Sequence, residues 1–110
     1  MSADACIAFY GIRFEIGRDE IAALEARSDV RMVAARRAAL KHYWGNFGKP
    51  GERYLLFVGA KLAILGPENI SELTLTSHDL QSVIELTKSK IRAAGLSGEP
   101  SLYLQWERDA

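Results

Sequence analysis

The chain has 110 residues, 48% of them hydrophobic and 25% charged, with fourteen basic residues balanced by fourteen acidic ones. This is chain enough for one α+β domain, residues 1–110, and too little for a second, independent core. Zero formal charge argues against a nucleic-acid partner held through a basic surface, and no apolar run approaches the roughly 20 residues of a membrane span.

The first eleven residues, MSADACIAFYG, carry no basic segment ahead of their apolar ones, so they do not read as a secretory signal. One cysteine, Cys6, cannot form an internal disulfide, which points to the reducing cytoplasm. Cys6 to Ile16 alternates as a strand, with Cys6, Ala8, Tyr10, Ile12, Phe14 and Ile16 on a core face. The parity makes Cys6 a buried thiol. Gly11 in mid-strand marks a bulge or the close approach of another segment. Arg13 and Glu15 share the other face and suggest a surface ion pair.

Gly17 to Trp44 reads as helix in two pieces. Ile21 and Leu24 define one apolar stripe; Val30, Val33, Ala34, Leu40 and Trp44 define another, roughly opposite. A straight helix cannot bury both, so the segment should break near Ser28-Asp29, where either side chain can cap the second piece. The pieces are expected over about Arg18–Arg27 and Val30–Tyr43, with Arg31 and Arg36 off the stripe. Gly45 to Glu52 is a loop and not a phosphate-binding one, since it lacks the Lys-Ser/Thr pair and runs from helix to strand.

Arg53 to Gly66 holds two apolar runs flanking Gly59-Ala60, the pattern of a hairpin with a type II′ turn. Leu55, Phe57, Leu62 and Ile64 then share one face; Tyr54, Leu56, Val58, Ala63 and Leu65 share the other. Ile70 to Thr76 is an edge strand or connector. Thr76 or Ser77 caps a helix with Asp79 in its first turn, an apolar stripe of Leu80, Val83, Ile84, Thr87, Ile91 and Ala94, and Gly95 as its stop. Leu102 to Glu107 is a last strand, with Leu102, Leu104 and Trp106 on one side and Tyr103, Gln105 and Glu107 on the other.

Strand, helix, strand, strand, helix, strand is the ferredoxin-like split β-α-β pattern (βαββαβ), an antiparallel sheet with helices on one face. Right-handed crossovers place the first and third strands in the middle. The other face then carries Phe9, Arg13, Tyr103, Gln105 and apolar hairpin residues with nothing over them, which points to a homodimer through the open sheet face. An RNA-binding sheet is disfavoured because KLAIL, read as the third strand, has no aromatic ring to stack on a base.

Candidate ligand-binding residues are Arg13, His42, Tyr43, Trp44, Asn46 and Tyr103. The dense run His42 to Phe47 either lines a small-molecule pocket or plugs the core end and satisfies a helix terminus. Metal-ligand spacings are absent, so no metal and no cofactor is expected. Ser77-His78-Asp79 is no triad, since neighbours at a helix start cannot take those roles together. No family signature is present. The reading is a homo-oligomeric small-ligand-binding or protein-interaction module. Two alternatives are a cofactor-free enzyme with its site between the sheet face and the His42–Asn46 segment, and a regulatory partner of another protein.

Overall fold

The computed structural model describes residues 4–108; residues 1–3, the start of the stretch tested for a secretory signal, lie outside it. Four strands, β1 (Ala5–Ile16), β2 (Lys41–Asn46), β3 (Tyr54–Leu65) and β4 (Ser101–Glu107), form one antiparallel sheet in the order β2-β3-β1-β4. β1 and β3 occupy the middle. Three helices, α1 (Ile21–Glu25), α2 (Val30–Arg37) and α3 (Ser77–Ala93), supply Leu24, Met32, Ala35 and Ile91 to a core on one sheet face, against Ile12, Ile16, Leu56 and Val58. None of these helices is long and apolar enough to cross a membrane.

The break between α1 and α2 falls where the stripes change phase. α1 ends in a Schellman turn: Ser28 N donates to Ala23 O at 2.9 Å and Arg27 N to Leu24 O at 3.1 Å. Asp29 then caps α2, accepting from Arg31 N at 2.9 Å. The second stripe, however, is corrected. Met32 and Ala35 are buried and Val30 is 79% exposed. Arg31 is no free surface residue: it donates to Asp29 Oδ2 at 2.8 Å and Glu20 Oε2 at 2.6 Å and lies 5.2 Å from the Phe14 ring centroid.

α2 also stops six residues short of Tyr43. A second Schellman turn closes it, Leu40 N donating to Ala35 O at 2.8 Å, with Ala39 in the left-handed region at φ 59°. The chain then enters β2, so His42–Asn46 is a sheet strand. The expected hairpin at Gly59-Ala60 is likewise absent. Tyr54–Leu65 runs unbroken through both residues, and the true hairpin joins β2 to β3 around the loop 47–53. Gly59 serves another purpose. It faces Gly11, and a Cβ on either would lie 2.2 or 2.1 Å from the opposing strand's carbonyl oxygen. The mid-strand glycine of β1 does mark a close approach.

α3 matches its expected cap, stripe and stop. Thr76 Oγ1 accepts from Asp79 N at 3.0 Å, Thr87 and Ile91 are buried, and Gly95 takes φ 72°. Ile70 forms only an isolated bridge to Leu65, within a connector. Two smaller expectations change: Cys6 is half-buried, and Glu15 pairs with Arg53 at 2.8 Å rather than with Arg13.

The sheet face without helices is not open. Ile7, Phe9, Leu55 and Phe57 are completely buried, and Tyr43, Phe47, Ile64 and Tyr103 pack on them. The cause is bending. β4 pairs with Ala5–Gly11 of β1, while β2 pairs with Tyr54–Gly59 of β3, beside the other half of β1. The long β1/β3 ribbon coils at its glycine pair and closes this face on itself. A second core, made largely of aromatic rings, fills the fold.

Candidate functional site

The six candidate residues divide by the parity of their strands. Tyr43, Arg13 and Tyr103 belong to the closed aromatic face. Tyr103 meets Phe57 edge-on at 5.6 Å, and Arg13 lies 4.8 Å over the Tyr103 ring while donating to Gln105 Oε1 at 2.8 Å. Tyr43 Oη donates to Glu107 Oε1 at 2.7 Å. Burial, then the Glu107 carboxylate, push the Tyr43 hydroxyl well above its ordinary pKa. These residues are fastened to one another inside the fold, as are the Phe9 and Phe57 rings. Phe57 does put an aromatic on the third strand, contrary to expectation, but complete burial withholds it from a base.

Asn46 is an organiser of the β2–β3 loop. Its Oδ1 accepts from Gly48 N at 3.0 Å and Arg53 N at 2.9 Å, and its Nδ2 donates to Gly51 O at 3.0 Å. The small amide satisfies backbone groups that a seven-residue reversal would otherwise leave to water. The alternative of a helix terminus fails because no helix ends there.

His42 and Trp44 point to the helix side, at the free edge of β2. They line an open groove of about 440 Å³ whose floor is Leu24 and Met32 and whose rim includes Glu25 and Arg27. Arg36 stands beside it, donating through Nη2 to Arg27 O at 3.2 Å. The His42 imidazole is held below its usual pKa by burial first, then by the positive charges of Arg36 and Arg27. The His42–Asn46 segment is itself a strand of the sheet, so no cleft separates the two. The sequence puts Leu24 on an apolar stripe and Arg27 and Arg36 on a basic surface, but joins none of them, nor Met32, to His42 and Trp44. The basic character of the segment 27–41 was the available signal, but nothing in the spacing said which bases converge on β2.

The other feature of the described surface is β4. Leu102, Leu104 and Trp106 are 51%, 68% and 53% exposed, three large apolar side chains in one row on an edge strand. α3 packs over β1 and β3 and leaves this row uncovered. Their neighbours Tyr103 and Gln105 turn inward, and Glu107 is buried. The strand interior has no lysine and no proline, the residues that commonly protect an edge.

Comparison of the chain with protein-family models, with curated proteins and with solved structures gives no match.

Proposed function

We propose that this chain is a cytoplasmic interaction module of ferredoxin-like topology that works as a homodimer, two copies meeting edge to edge along β4. The element order and the central placement of β1 and β3 support the topology. The free thiol of Cys6 accords with a reducing compartment. The observation that carries the reading is the exposed row Leu102, Leu104, Trp106 on an unprotected edge. It replaces the sheet face, which the fold fills with its own aromatic rings.

The row suits a second copy of itself. Antiparallel pairing about Leu104 sets Leu102 against Trp106 of the partner and Tyr103 against Gln105, and the Glu107 backbone against that of Ser101. No like charges meet, and the contact closes on itself as a two-fold interface must. The two sheets then become one of eight strands. The test is light scattering after gel filtration. A dimer is expected at tens of micromolar, with Leu104→Lys shifting it to a folded monomer of unchanged circular dichroism, since Leu104 touches little in its own protomer. A wild-type monomer at that concentration refutes the proposal, as does a dimer indifferent to the substitution.

A further inference from the structure

The groove beside β2 has a charge pattern that nothing in the fold uses. Four ion pairs link described residues: Arg18–Glu52, Arg31–Glu20, Arg31–Asp29 and Arg53–Glu15. Arg27 and Arg36 belong to none of them, although Arg27 lines the groove and Arg36 stands beside it, and Glu25, the carboxylate on the rim, pairs with neither. Two exposed guanidiniums and a half-buried imidazole therefore stand near one another, and the one carboxylate beside them, Glu25, makes no ion pair with either arginine. Arg36 is held in place by its hydrogen bond to Arg27 O.

The backbone adds a second observation. Arg27 occupies the left-handed position of the α1 Schellman turn, φ 59°, where glycine is the unstrained residue. The corresponding position after α3 is Gly95, at φ 72°. Ala39, which closes α2, holds the same φ of 59°, so the conformation belongs to the helix stop and fixes where Arg27 stands at the groove. Below the charges, Trp44 offers a flat aromatic wall over a floor closed by Leu24 and Met32.

We infer that this groove binds a small aromatic anion, a carboxylate or phosphate monoester, with Arg27, Arg36 and His42 holding the charged group and Trp44 the ring. Guanidinium forks match the two oxygens of either anion. The site is independent of the β4 edge: its residues lie on α1, α2, β2 and the turn between the helices. The ligand charge reverses the electrostatics at His42, which faces Arg27 and Arg36 and has Glu25 at the same rim. An anion seated there favours the imidazolium, so binding takes up protons and tightens as pH falls.

The test is a titration of isotope-labelled protein with phenyl phosphate and, separately, benzoate, following the His42 imidazole and Trp44 indole resonances. At least one probe should shift both with a dissociation constant of about 1 mM or below, and raise the His42 pKa by about half a unit or more at saturation. The probe that binds more tightly identifies the anion class. The double substitution Arg27→Gln, Arg36→Gln, at exposed positions, should weaken binding about tenfold or more while circular dichroism stays unchanged. Inorganic phosphate, lacking the ring, should bind more weakly than phenyl phosphate. Unmoved resonances with both probes at about 10 mM overturn the inference. So does equal affinity in the double variant, or shifts confined to the separate groove that Lys41, Lys61 and Lys90 line with Leu40, Val83 and Leu86.

Discussion

Tyr43 and Glu107 lie on strands at opposite edges of the sheet, yet the tyrosine hydroxyl donates a 2.7 Å hydrogen bond to the glutamate. In a flat sheet their backbones would stand about 30 Å apart, given strand spacings near 4.8 Å and a rise near 3.3 Å per residue. Side chains of this length bridge less than half of that. The bond therefore reports the coiling that closes the aromatic face, and it fastens β2 to β4 at the closure. Tyr43→Phe leaves a buried carboxylate oxygen without its donor and should cost about 1–3 kcal/mol in urea unfolding. Glu107→Gln, whose amide oxygen still accepts, should cost less.

The same pair sets an alkaline limit. Burial and the adjacent carboxylate raise the pKa of Tyr43 in the folded state above that of the unfolded chain. Its contribution is thus fully present below about pH 10 and is lost as pH rises beyond it. Spectrophotometric titration of the wild type beside Tyr43→Phe should show that Tyr43 ionises only as the protein unfolds. Tyr43 ionising in a protein that is still folded would contradict its burial.

The glycine pair is the pivot of the coil. Gly11→Ala or Gly59→Ala places a methyl 2.1 or 2.2 Å from the opposing carbonyl oxygen, so the central strands must separate. Each should cost about 3 kcal/mol or more by thermal or urea unfolding. Gly95→Ala is the control. There nothing lies within 4 Å and only the left-handed φ is strained, for about 1 kcal/mol.

Helix ends explain much of what the sequence hid. Two Schellman turns put Arg27 and Ala39 where glycine ordinarily announces the stop, so the alanine-rich run seemed to continue to Tyr43 and β2 went unseen. The glycine that looked like a turn, Gly59, was needed instead for contact with Gly11. Features with local causes were legible: the alternation of β1 and β4, the Asp29 cap, and α3 from Thr76 to Gly95. The closed aromatic face depends on contacts between residues far apart in sequence, and no periodicity encodes it. For the same reason His42 and Trp44 were found, while their partners Arg27 and Arg36 were not. From this follows a stabilising change: Ala39→Gly should raise stability by about 0.5–1 kcal/mol, seen as a higher thermal midpoint.

Arg31 joins Asp29, Glu20 and Phe14 and so holds the turn before α1 to the start of α2. Arg31→Ala leaves Asp29 buried and unpaired and should cost about 2–3 kcal/mol, whereas Val30→Asp, at an exposed site, should cost under about 0.5 kcal/mol. Hydrogen bonds from Arg31 hold the Asp29 carboxyl below its usual pKa. That stabilisation is complete above the unfolded value near 3.9 and is lost as pH falls through the lower folded value. Acid unfolding of Arg31→Ala should therefore show a weaker loss of stability below about pH 4 than the wild type.

Association along β4 is tested most directly by hydrogen exchange of its backbone amides at two protein concentrations. Half of these amides bond β1, and the others face outward, where only a second strand can protect them. At about 100 µM the outward amides between Leu102 and Trp106 should exchange slowly, and at about 1 µM rapidly, while β2 is unchanged. Outward β4 amides that exchange fast at both concentrations, or protection that appears instead on the helices, would contradict a dimer built on this edge.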